Sequence, residues 1–173
     1  MRVFLLLFLL FPILELAVLI KVGGAIGVFP GGTVSTAARP FAPPMDPVWR
    51  GFTAKMVARS DAVVVPIFFE GTNSRLFQIA SHLHTTIRMG MLIREFRARV
   101  GQPVRVHVGD PIPPERLAPY RSDSKAMMDF LRRATYDLSP TRIDSGAIGH
   151  EFEEKHRPKA GTRGQAHGSG DLR

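Results

Sequence analysis

The chain has no cysteine, so neither disulfides nor thiolate metal centres contribute to its stability or chemistry. It is short of acid. Fifteen Asp and Glu stand against 23 Lys and Arg, giving a formal charge of +8 and a pI near 10.8. That imbalance points to an anionic partner, either nucleic acid or an anionic membrane surface. Aromatic residues are also few, with 12 Phe, 2 Tyr and 1 Trp. They do not interleave with basic residues in the stripe that single-stranded nucleic acid favours. The membrane is therefore the preferred surface, and no nucleic-acid partner is expected. The first 28 residues contain no His and no Asp, which removes the commonest acid–base pair from the start of the chain. A length of 173 residues accommodates one modest domain with attachments.

What the sequence does have begins with an apolar run from Phe4 to Ile20, interrupted by Pro12 and Glu15 and flanked by Arg2 and Lys21. Three readings are open: a membrane-spanning helix, a cleaved signal and a buried core helix. About 18 apolar residues nominate a membrane helix, whereas Val22-Gly23-Gly24-Ala25 makes a poor cleavage site. The membrane helix is favoured, with Glu15 placed near an interface where it reaches water. Only Arg2 precedes the run and the chain beyond it is strongly basic, so the following domain is expected to face the cytoplasm.

Next comes a glycine-rich block, Phe29-Pro30-Gly31-Gly32-Thr33-Val34-Ser35. Glycines after an apolar run let backbone N–H groups turn toward an anion, and hydroxyls add donors; the same letters also spell an ordinary turn. Five prolines between residues 30 and 47 make Ala37 to Pro47 an irregular loop or lid. Asp46-Pro47 reads as a helix start, with Trp49, Phe52 and Met56 on one face packing onto a sheet. Val63 to Phe69 then reads as a buried strand interrupted by Pro66. Strand, glycine turn, helix and strand together indicate an α/β domain, a mixed sheet flanked by helices.

These residues resemble a known family. The glycine block is similar to the F-P-E-G-T-R-S block of the lysophospholipid (PlsC-like) acyltransferases, and Val64-Val65-Pro66-Ile67 is similar to the V-P-[IV] block that follows it. The likeness extends through Phe69-Glu70-Gly71-Thr72-Asn73-Ser74-Arg75 and Leu92 to Arg97, as far as about Pro140. The resemblance implies a partial acyltransferase-type domain over residues 25–140 that transfers a fatty acyl group to a lyso-lipid hydroxyl in phospholipid biosynthesis. It also implies a bacterial inner-membrane location, acyl carrier protein or acyl-coenzyme A as donor, and no cofactor or metal. Phe29, Pro30, Gly31, Gly32, Thr33, Ser35, Pro66, Asn73 and Arg75 become the candidate substrate-binding residues. The chain departs from the pattern at Gly31, where the block has Glu, and at Val34, where it has Arg. The family's catalytic H-x-x-x-x-D belongs upstream of the block and is missing, so no catalytic residue is assigned. A second resemblance covers Phe4 to Gly27, which is similar to the first membrane helix of FxsA-type bacterial membrane proteins. Together they describe a composite chain, a membrane leader over residues 1–24 joined to the back half of an acyltransferase domain.

Phe77 to Val100 reads as two helical pieces parted near Ser81 to Thr86. Met89, Leu92, Ile93 and Phe96 form an apolar stripe beside Arg88, Arg94, Arg97 and Arg99, a pattern that suits either a membrane surface or a solvated face. Val104 to Val108 alternates as an amphipathic strand. Ser122 or Asp123 caps a last helix with Ala126, Met127, Phe130, Leu131 and Ala134 inward. His82 and His84 lack a nearby carboxylate partner in the sequence, and His107-x-x-Asp110 has the wrong spacing for a dyad. Residues 141–173 read as a disordered basic tail. Three functions follow: an acyltransferase-like protein inactive by itself, a lipid- or partner-binding module that pairs with a chain supplying the catalytic half, and an FxsA-type membrane protein with an incidental soluble part.

Overall fold

The computed structural model describes residues 23–152. The apolar run from Phe4 to Ile20 and the tail beyond residue 152 lie outside the described residues. Among the described residues no helix is long and apolar enough to cross a membrane.

The fold mixes helices and strands. Along the chain run β1 (Thr36–Ala37), β2 (Pro44–Met45), α1 (Gly51–Ala58), β3 (Ile67–Phe69), α2 (Arg75–Leu83), α3 (Thr85–Arg99), β4 (Val106–Val108), α4 (Pro114–Leu117), a 3₁₀ turn (Ala118–Tyr120) and α5 (Ser124–Tyr136). The single mixed sheet expected from the sequence is replaced, among the described residues, by two separate antiparallel pairs, β1–β2 and β3–β4. The proline-rich stretch is thus a short hairpin, with Thr36 opposite Met45 and Ala37 opposite Pro44.

The main core lies between α1, α5 and the α4 region: Ala54, Val57, Ile112, Leu117, Met127, Met128 and Leu131, with Trp49, Val64, Tyr120 and Phe130 packed around it. Helix α5 is as its sequence suggests. The Asp123 carboxylate accepts from the Lys125 and Ala126 N–H groups at 2.9 Å each, a side-chain N-cap contributing about 1 kcal/mol, and the Met127/Met128/Leu131 face is buried. The start of α1 differs from expectation. The helix begins at Gly51 after Arg50, without a side-chain cap. Asp46 does not cap it because its carboxylate is used elsewhere, accepting from the Ser35 hydroxyl and from Trp49 Nε1 (3.0 Å). Helix α1 buries Thr53, Ala54, Met56 and Val57 and leaves Phe52 exposed, and it packs on α5, not on a sheet.

The expected break between α2 and α3 falls at His84, whose Nδ1 accepts from the Thr86 N–H at 3.1 Å. The inward face of α3 is polar. Glu95 accepts from the N–H (2.9 Å) and hydroxyl (2.5 Å) of Ser74, which itself caps α2 by accepting from Phe77 N–H. The rotation that buries Glu95 and Arg88 turns the stripe outward, leaving Met89, Ile93 and Phe96 at 52, 63 and 72% exposure.

The β3–β4 pair aligns Ile67 with Val108, Phe68 with His107 and Phe69 with Val106. Val63 to Phe69 is interrupted at Pro66 as expected, but it is not the buried strand expected. Pro66 cannot donate to the ladder; before it only an isolated Val64–Ile112 bridge remains, and Val63, Val65, Ile67 and Phe69 are exposed. The alternation in β4 is real but oriented with its valines outward and His107 inward.

The tail expectation fails for residues 145–152. The Gly149 and His150 N–H groups donate to the Asp46 (2.8 Å) and Thr36 (3.0 Å) carbonyls. Arg132 of α5 donates to the Ser145 (2.9 Å) and Ala147 (2.8 Å) carbonyls, and Glu151 is buried. Backbone hydrogen bonds, invisible to composition, order this polar segment.

Candidate functional site

The glycine block opens with a tight turn. The Gly32 N–H donates to the Phe29 carbonyl at 3.1 Å, and Gly32 has φ of 66°, a conformation L side chains avoid. The N–H that an anion was expected to meet is therefore used within the turn. Gly31 is buried against Pro47, and the Pro30 carbonyl accepts from the Arg50 N–H at 2.9 Å. Thr33 Oγ1 accepts from Arg88 Nη2 at 3.2 Å, and the Ser35 hydroxyl donates to Asp46. Most of the block is scaffold that fixes where Val34 and Ser35 stand.

Those two residues line a cleft of about 270 Å³ whose opposite wall is formed by Glu70, Gly71, Thr72 and Asn73 at the end of β3 and by Arg99 at the end of α3. The end of the glycine block and the stretch just after β3, separated in sequence by helix α1, thus meet at one cleft, which the Val64–Ile67 block does not reach. Gly71 at φ 109° lets the chain pass Arg99, whose Nη1 would lie 3.4 Å from a Cβ placed there, and Arg99 Nη2 donates to the Thr72 carbonyl at 2.7 Å. Behind the cleft, Glu70 Oε1 is 2.5 Å from His107 Nε2 and its Oε2 is 3.8 Å from Arg105. His107 is thus partnered by Glu70 across the β3–β4 pair, not by Asp110.

Of the sequence candidates, Ser35 and Asn73 line this cleft. Phe29 is 78% exposed and contacts Phe69 (ring centroids 6.1 Å apart), Arg75 is exposed at the first turn of α2, and Pro66 is buried, its carbonyl accepting from Gly109 N–H at 2.9 Å. Sequence reasoning missed Glu70, His107 and Arg99 as a group. The alternation of Val104 to Val108 places Arg105 and His107 on one face, but only the register with β3 shows that this face meets Glu70.

No family model, curated protein or solved structure matches this chain.

The electrostatics of α3 set the surroundings. Burial favours the neutral form of Glu95, but the two Ser74 hydrogen bonds, together with Arg94 and Arg99, outweigh it and hold the carboxyl below its ordinary pKa. Burial alone lowers the Arg88 pKa. Among the described residues, no three His, Asp or Glu side chains converge as metal ligands do.

Proposed function

We propose that this chain is the acceptor-binding part of a lysophospholipid acyltransferase-like protein. It holds a lyso-lipid's polar head at a membrane surface and does not transfer an acyl group by itself. The observation that carries this reading is that the glycine block, through Ser35, and the acyltransferase-like stretch from Glu70 to Asn73 line one cleft with Arg99. Arg99 supplies the positive charge for a head-group phosphate. The Asn73 amide and the Glu70 carboxylate suit glycerol hydroxyls, as donor and acceptor respectively. The outward stripe of Met89, Ile93 and Phe96, with Arg94 and Arg97 on the same helix, suits contact with an anionic bilayer.

Acyl transfer needs a base on the acceptor hydroxyl, and a positioned base contributes ~10²–10⁴-fold in rate. The sequence holds no H-x-x-x-x-D, and His107 stands behind Glu70 without lining the cleft. On this reading the base and the acyl donor, acyl carrier protein or acyl-coenzyme A by the resemblance, come from outside residues 23–152, as from a partner chain. The test is conversion of labelled lyso-lipid in cells whose own acyltransferase is conditionally disabled. The chain alone should give no conversion above empty vector while binding lyso-lipid in the membrane fraction, and Arg99→Ala should weaken that binding. Conversion that His107→Gln abolishes would overturn the non-catalytic part of the proposal.

A further inference from the structure

Two guanidinium groups with the same degree of burial are treated in opposite ways. Arg132, 6% exposed, donates to four backbone carbonyls, those of Asp46, Pro47, Ser145 and Ala147. Arg88, 8% exposed, makes one hydrogen bond, to Thr33, and its Nε is buried with no partner. No Asp or Glu among the described residues lies within ion-pairing distance of Arg88. Two neighbouring groups share the deficit. Gln78 Oε1 accepts from the Ala37 N–H at 2.9 Å, but Gln78 Nε2 is buried and unpartnered, as is His82 Nε2. Gln78 and His82 stand one turn apart on α2.

Ring contacts link His82 to Arg88, and Gln78 adjoins them as the residue one turn before His82 on α2. The His82 ring is 5.0 Å from His150, His150 is 4.6 Å from Phe152, and the Arg88 guanidinium lies 4.0 Å over the Phe152 ring and 5.7 Å from that of Phe77. Buried donors without acceptors, and a buried charge without a counter-charge, destabilise a fold unless something supplies the partner. Arg88 Nε, Gln78 Nε2 and the Nε2–H form of His82 all lack the same thing, a hydrogen-bond acceptor, and a negatively charged one satisfies Arg88 as well.

We propose that Arg88, Gln78 and His82, between α2, α3 and residues 150–152, form a binding site for a phosphate-type oxyanion. Arg88 supplies the charge and a forked donor pair, Gln78 and His82 supply further N–H donors, and the Phe152 ring covers the guanidinium. None of the three lines the Ser35–Asn73 cleft, so this site stands whether or not the cleft binds a lyso-lipid. The same chemistry fits free phosphate and the phosphate monoester of a lipid head group.

The test uses the full chain in detergent micelles. Thermal unfolding is followed in chloride, in inorganic phosphate at matched ionic strength, and with lysophosphatidate added to the micelles. The wild type should gain roughly 4 °C or more at saturating ligand. Arg88→Met and Gln78→Glu should each remove that gain; the second keeps the oxygen that accepts from Ala37 while replacing the donor with a negative charge. In plain chloride, Arg88→Met should unfold no lower than the wild type, because a buried unpaired charge has been removed. A gain with inorganic phosphate that Arg88→Met removes identifies a free-anion site, and a gain with lysophosphatidate only, kept in Arg99→Ala and removed by Arg88→Met, identifies a head-group site. Should Arg88→Met fail to fold, the Gln78→Glu comparison and ³¹P line broadening of phosphate by the wild type decide. No gain and no broadening with either ligand, or a gain that both variants retain, would overturn the proposal and leave water as the occupant.

Discussion

Replacing Gly149 by Ala tests whether the segment after α5 is an integral part of the fold. A Cβ at this position would lie 1.8 Å from the Met45 carbonyl oxygen and 2.6 Å from that of Thr36. Both obstacles are backbone of the β1–β2 hairpin, so no side chain can swing aside. Carbon–oxygen contacts settle near ~3.3 Å, and the segment must retreat by roughly 1.5 Å to restore that spacing. Such a shift takes the Gly149–Asp46 (2.8 Å) and His150–Thr36 (3.0 Å) hydrogen bonds out of range. At about 1 kcal/mol net each, with further loss where Arg132 grips the neighbouring Ala147 carbonyl, the cost comes to ~2–4 kcal/mol. Restricting the unfolded chain returns less than ~1 kcal/mol of it. The assay is urea unfolding followed by the fluorescence of Trp49, the chain's one tryptophan, whose indole is held by Asp46. The midpoint should fall with the slope unchanged. A variant within ~0.5 kcal/mol of the wild type, the range of ordinary surface substitutions, would refute this account of residues 145–152.

Three further outcomes follow from the same geometry. Arg132→Met strips four carbonyls of their donor and should lower stability by ~3 kcal/mol, while Arg132→Lys recovers only part because an ammonium cannot reproduce the fork. Glu95 has a folded pKa below its ordinary value of 4.5, so its contribution is present above that pH and is lost as the pH falls through the folded value. In acid titrations of urea stability, the gap between wild type and Glu95→Gln should close below pH 4.5. Tyr136 shows the opposite sign. Burial foremost, then the Asp46 charge, push its pKa from 10.0 up to about 12, so stability that is full below pH 10 drains as the pH rises toward 12. Tyr136→Phe should remove that alkaline loss.

Local signals were legible where chemistry and position coincide within a few residues. Asp123 caps α5, the Met127/Leu131 spacing marks its buried face, and α2 and α3 part at His84 near the expected break. What could not be read depends on contacts distant in sequence. Asp46 looked like a helix cap, but Ser35 and Trp49 claim its carboxylate. The apolar stripe of α3 gives the helix its period but not its rotation, which is set by Glu95 reaching back to Ser74. Of the nine residues nominated as a binding site, Ser35 and Asn73 reach the cleft; turns and packing use the polar or conformational features of several others. Arg99, Glu70 and His107 come together only through the β3–β4 register and the return of α3.

On the proposed function, the cleft between the glycine block and residues 70–73 receives a lyso-lipid head. The most direct measurement is photo-crosslinking of the full chain in membranes with a lysophosphatidate bearing a photoreactive group on its glycerol, followed by peptide mapping. Adducts are expected within residues 34–35, 70–73 and 99–104, competed by unlabelled lyso-lipid and diminished by Arg99→Ala. Adducts confined to the outward face of α3, unaffected by competitor or by Arg99→Ala, would show that the chain touches lipid without recognising it and would contradict the claim.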